Sequence, residues 1–180
     1  FKQEVRKRYP KRKTERLAPF LHELRFVKNT QEIELIQQAV RVTAEGYRKV
    51  LGFVKPGVME YEIESEWART FISNRCKFAY GPIIAAGKNA CVLHYLQNDQ
   101  ICKKGELLLM DVGASYANYN ADLTRTIPVS GKFNRRQRAV YDAVLRVLKK
   151  SVENASVGKS LKEWTRETQD LMNEELVSLK

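Results

Sequence analysis

Apolar positions recur at helical spacing in four stretches of the chain and give way to extended patterns between them. After the capping box Asn29-Thr30-Gln31-Glu32, the residues Ile33, Ile36, Val40, Tyr47, Leu51 and Val54 mark one face of a long amphipathic helix that ends before Pro56-Gly57. A second helix begins near Met59 and carries Ile63, Trp67 and Phe71 on one side, with Trp67 as a core anchor. Asn134-Arg135-Arg136-Gln137 is another capping box. It leads into a helix whose apolar face is Tyr141, Val144, Leu145 and Leu148 and whose outer face is strongly basic. Gly158 breaks that pattern, and Ser160-Leu161-Lys162-Glu163 opens a last helix with Trp164, Leu171, Met172 and Leu176. Long helix, glycine break and second helix therefore occur twice, around Gly57 and around Gly158, with little side-chain identity between the halves.

Between residues 78 and 95 the pattern turns extended. Ile83-Ile84-Ala85-Ala86 runs into the turn signal Gly87-Lys88-Asn89, and Cys91-Val92-Leu93-His94-Tyr95 then reads as a strand with Val92 and His94 on one face. Leu107-Leu108-Leu109-Met110-Asp111-Val112 is an apolar run bounded by Lys103-Lys104-Gly105, and a partner strand from Leu123 is stopped by Pro128 and Gly131.

On one straight strand Asp111 and Asp122 would lie about 36 Å apart on opposite faces. A hairpin folded around Tyr116-Ala117 makes them direct cross-strand neighbours, with Cβ atoms about 5 Å apart. Tyr-Ala lacks the Asn-Gly or Asp-Gly signal of a tight turn, so a longer loop centred on Asn118 or Asn120, with a bulge restoring register, is the alternative. Two carboxylates so placed repel by about 3 kcal/mol at an effective dielectric near 20. A shared proton, an arginine or a multivalent cation must offset this, and hard cations such as manganese or magnesium favour carboxylate oxygen.

Composition adds limits. The 180 residues are 43% hydrophobic and 29% charged, as in an ordinary globular protein, and no apolar run approaches a membrane span. Three cysteines without CxxC spacing fit reduced thiols in a cytoplasmic protein, and Cys91 with His94 has no second Cys/His pair to complete a zinc site. The net charge of +11 raises the question of nucleic acid, because seven basic residues fall within the first thirteen. That stretch lacks interleaved aromatics other than Tyr9 and lacks a binding motif, so residues 1–28 read as a solvated basic linker and 29–180 as the folded part. The start at Phe1 leads to the expectation of a segment of a longer protein.

Several ordered motifs resemble the pita-bread metallopeptidases, and within them the Xaa-Pro aminopeptidases (aminopeptidase P). They are Leu93-His94-Tyr95, Asp111-Val112-Gly113-Ala114, Tyr119 with Ala121 to Val129, and Gly131-Lys132-Phe133. The resemblance implies an α+β chain: the first half of a pita-bread fold, with helices packed on an antiparallel sheet and an end before the second-half sheet. It implies that Asp111 and Asp122 are the first two ligands of a pair of divalent metals, manganese being the expected ion, with Asp122 bridging. His94, 17 residues before Asp111, is similar to the family's substrate-side histidine, a hydrogen-bonding group near the scissile amide. The remaining ligands, a histidine and two glutamates, are expected from the second half, and no residue here takes those roles. The implied substrate is a peptide with proline in second position, cut by an enzyme that is a homo-oligomer when intact and binds neither membrane nor nucleic acid. Prolidase, which cuts only dipeptides, and a non-catalytic pita-bread binding module are the alternatives.

Overall fold

Helix α3 (Thr30–Phe53) begins where the capping box places it. Asn29 Oδ1 accepts from the Glu32 N–H, and the Glu32 carboxylate accepts from the Asn29 N–H. The structure, a computed structural model, describes residues 1–179. Helix α4 (Glu60–Ser73) follows the Gly57 turn and packs along α3, burying Ile63, Trp67 and Phe71. Trp67 is completely buried, and its ring stands in a run of aromatics from Tyr47 through Phe71 to Phe78.

Ahead of these lie α1 (Lys2–Arg8) and α2 (Ala18–Phe26), neither of which buries a residue. The basic leading stretch is therefore exposed and partly helical.

Two three-stranded antiparallel sheets lie against the helix pair. One joins β2 (Ile83–Ala86), β3 (Leu107–Val112) and β6 (Leu123–Pro128) in the order β2-β3-β6. The other joins β1 (Lys77–Phe78), β4 (Ala114–Tyr116) and β5 (Tyr119–Asn120) in the order β1-β4-β5. Burial alternates along β3: Leu108, Met110 and Val112 enter the core, while Leu107, Leu109 and Asp111 are half-buried on the opposite face. The single sheet read from sequence is thus divided in two, and one hairpin supplies strands to both.

The segment expected as a strand over 91–95 is not one. Residues Gly87–Cys91 form a 3-10 turn, and His94 follows in a bend at φ +54°. The apolar alternation there misled because Val92 and Leu93 are exposed and pair with nothing.

Helix α5 (Arg135–Asn154) and helix α6 (Leu161–Ser178) repeat the first pair, each with its expected capping box. The residues α5 buries are Ala143, Val147 and Ser151. The stripe expected to be its buried face, Tyr141, Val144, Leu145 and Leu148, instead lines an open groove of about 310 Å³ together with Leu107, Thr126 and Phe133. None of the helices among the described residues is long and apolar enough to cross a membrane.

One side chain ties the hairpin to the helices. The buried Thr43 hydroxyl donates to the Ala39 carbonyl and accepts from the Ala114 N–H at 3.0 Å. Thr43→Val keeps the volume but strands that buried N–H, so it should lower stability by about 1–3 kcal/mol, seen as a lower urea midpoint with unchanged slope.

Candidate metal centre

Asp111 is the fifth residue of β3, on the sheet face turned away from α3 and α4, and Asp122 immediately precedes β6. Their relation differs from direct pairing. Asp111 lies opposite Thr124, and the hairpin closes at Ala117-Asn118, with Tyr116 paired to Tyr119. Both turn residues have positive φ (48° and 66°), the geometry of a type I′ turn, which Asn tolerates and Ala adopts at some cost. The same register runs through both arms and no bulge is inserted. The shift from direct pairing is two residues, an even number, so both carboxylates stay on one face as diagonal neighbours.

Between the two sheets the hairpin passes through Gly113 and Ala121-Asp122. A Cβ on Gly113 would stand 1.8 Å from the Ala121 carbonyl oxygen, so only glycine allows the arms to come together beside Asp122. The Gly113 carbonyl accepts from the Ala79 N–H at 2.8 Å, which seats the next residue, Tyr80, over the crossing.

The carboxylates meet at Tyr80. Its hydroxyl lies 2.6 Å from Asp111 Oδ1 and 3.1 Å from Asp122 Oδ1. One hydroxyl carries one proton, and the shorter contact takes it. The Asp122 oxygen therefore faces an oxygen with no proton between them. Burial, followed by the hydrogen bond to Asp111, holds the Tyr80 phenol well above the ordinary tyrosine range, so it is a donor at neutral pH. No lysine or arginine pairs with either aspartate among the described residues.

Tyr80, Gly81, Ile83, His94, Leu96, Asp111 and Asp122 line an open recess of about 340 Å³. The three residues expected at the site are thus brought to one place. His94 reaches it from an exposed bend and does not join the aspartates as a third ligand: the described residues hold no metal-binding group of three His, Cys, Asp or Glu. Tyr80 was missed because nothing local marks it; it is 31 residues from one partner and 42 from the other. Gly113 did carry a signal, being an isolated glycine between two strand-like runs.

Residues 34–179 match metallopeptidase family M24. The chain belongs to that family. A Haemophilus influenzae Xaa-Pro aminopeptidase is 41% identical over 162 residues, which are 89% of this chain and 38% of that protein. A putative aminopeptidase P from Bacillus anthracis superposes with a TM-score of 0.95 at 37% identity, over 100% of this chain and 44% of its own. Escherichia coli aminopeptidase P with the inhibitor Pro-Leu gives 0.87 at 36% identity, over 90% of this chain and 37% of its own. The chain spans well under half the length of these relatives, and its α+β arrangement is a partial pita-bread fold.

Membership of M24 implies divalent metal ions. The donor set fits them: hard carboxylate oxygens from two strands converge on one point, and one of them lacks a proton partner. Because the convergence depends on the crossing, Gly113→Ala should destabilise the chain by about 3 kcal/mol and move Asp122 away from Tyr80. Urea unfolding, together with a shift of the Asp122 side-chain carboxylate carbon resonance, checks this.

Proposed function

We propose that this chain carries part of the active site of an M24 aminopeptidase that hydrolyses the peptide bond between an amino-terminal residue and a following proline. The observation that carries the reading is the pair of aspartates converging on one phenol whose single proton cannot serve both. The relatives named Xaa-Pro aminopeptidase and the structure holding Pro-Leu support the substrate class.

Asp111 and Asp122 would hold the metals. Divalent ions held there, two manganese ions being the expected complement, would acidify a water at neutral pH and polarise the scissile carbonyl. Tyr80 holds Asp111 by a short hydrogen bond to Oδ1 and so restricts the orientation of its carboxylate at the recess. His94, at the rim, is a hydrogen-bonding group beside the scissile amide, where it stabilises charge developing on the tetrahedral intermediate or assists proton transfer. Residues 1–28 serve as a basic linker, and 29–180 as part of the catalytic domain. A cytoplasmic setting suits Cys76, Cys91 and Cys102, all free thiols.

Two carboxylates leave a metal with several open positions, so the 180-residue chain should bind manganese weakly and hydrolyse no peptide. Calorimetric titration should give weak binding that Asp122→Asn lowers a further tenfold or so, in line with the loss of one of two ligands. Chelator-sensitive cleavage of Xaa-Pro-Pro peptides by the chain would contradict this. A longer form carrying the remaining ligands should cleave Xaa-Pro-Pro and lose that activity in Asp122→Asn; cleavage of Xaa-Pro dipeptides alone would indicate a prolidase.

A further inference from the structure

A second pair of carboxylates, Glu60 and Glu64, stands at the start of α4. Glu60 is completely buried and accepts four hydrogen bonds. Its Oε1 receives the Ala86 N–H at 2.7 Å and Asn89 Nδ2 at 3.3 Å, and its Oε2 receives the Tyr95 hydroxyl at 2.7 Å and the Gln100 N–H at 3.0 Å. These donors come from both sides of His94 in the chain. Asn89 Nδ2 also donates to the Tyr95 hydroxyl at 3.1 Å, joining the two sides directly.

One turn further along α4, Glu64 Oε2 accepts from Asn98 Nδ2 at 2.8 Å. Asn98 is itself buried. Its amide nitrogen also donates to the Pro82 carbonyl, and its Oδ1 accepts from the Ile84 N–H. The loop is thereby fixed to the stretch that leads from Tyr80 into β2.

The loop needs such support. After the 3-10 turn, residues 92–100 belong to neither helix nor strand, and His94 and Asn98 both have positive φ, which L residues rarely adopt. An apolar side chain at position 60 would fill the same space. A buried carboxylate is tolerated only with its donors in place, and in return it selects one loop conformation. No ion pair engages Glu60 among the described residues, so its burial is compensated by the N-terminus of α4 and by these four donors, one from the end of β2 and three from the loop.

Resting on the reading of the site given above, we propose that Glu60, supported by Glu64, is a positioning residue whose hydrogen bonds hold the 87–100 loop so that His94 and Leu96 stand over Asp111 and Asp122. Glu60 touches neither aspartate and acts through the loop. Leu96 is seated on Gly81, whose missing side chain leaves it room.

The test compares the metal-free 180-residue chain with Glu60→Gln and Tyr95→Phe by amide hydrogen exchange, and then adds manganese and follows line broadening at the rings of His94 and Tyr80. Glu60→Gln keeps the shape but turns an NH2 group toward two of the four donors. Amides of 87–100 should then exchange at least tenfold faster, while those of α3, β3 and β6 stay within twofold. Broadening at His94 should fall at least threefold while that at Tyr80 is unchanged, and Tyr95→Phe should move both readouts the same way by less. Exchange of 87–100 within twofold of the unaltered chain, equal acceleration in α3 and β3, or unchanged broadening at His94 would each overturn the proposal. If Glu60→Gln does not fold, Tyr95→Phe decides by the same criteria. Absence of broadening at both rings in the unaltered chain would count against the metal reading alone, and the metal-free exchange would then judge the positioning role.

Discussion

A single phenolic proton between two carboxylates is the constraint on which the site depends. The hairpin holds Asp111 and Asp122 on one face with no basic residue paired to either among the described residues, and the Tyr80 hydroxyl satisfies only one of the facing oxygens. Such an arrangement is costly in an ordinary core, where like charges a few ångströms apart repel by about 3 kcal/mol. It is favourable where a divalent cation completes it. The offset takes a form that charge counting does not suggest, because a neutral phenol does part of what an arginine or a shared carboxyl proton would do.

The geometry behind that contact is assembled in layers. Thr43 ties Ala114 to α3, Gly113 lets the Ala121 carbonyl pass close to the opposite arm, and the Gly113 carbonyl receives the Ala79 N–H so that Tyr80 is delivered above the crossing. Each step is a hydrogen bond to a backbone group or a steric allowance, and none involves a charge. The charged groups therefore sit on a scaffold whose stability does not depend on them, which permits an electrostatically strained pair to persist without metal.

What the sequence made legible follows the range of the interactions. Capping boxes at Asn29, Asn134 and Ser160, the glycine breaks at Gly57 and Gly158, and the strand stop at Pro128 act within a few residues, and each was placed correctly. The hairpin and the shared face of Asp111 and Asp122 were also legible, since a two-residue slip in register leaves the face unchanged. The turn position was not, because Ala117-Asn118 adopts positive φ without a glycine. Residues 91–95 misled for a different reason: their conformation is imposed by buried polar groups at Glu60 and Asn98, and alternation says nothing about those. Tyr80 depends on tertiary approach across 31 and 42 residues and left no local trace.

The repeat of helix pairs shows how far common physics reaches and where it stops. Gly57 and Gly158 both stand at positive φ, and each is followed by a helix whose third residue, Glu62 or Glu163, returns its carboxylate to the N-cap N–H. The local solution is the same although the sequences differ. The packing is not the same. In the first pair α3 lies on β4 and β5, and α4 lies on β1 and β2. In the second pair α5 and α6 bury Ala143, Val147 and Ser151 against each other, joined by the Trp164 Nε1 bond to the Ser151 carbonyl. The apolar stripe of α5 then faces the groove beside Leu107 and Thr126, so the helix carries hydrophobic residues on two sides. A stripe that broad is the pattern of a helix set between two layers, and it is why periodicity alone assigned Val144 and Leu148 to the buried face. The groove opens on the same side of β3 as Asp111, since Leu107 and Asp111 share that face of the strand. The packing surface of α5 and the carboxylate pair are thus presented along one side of a single strand, and β3 sets the position of both.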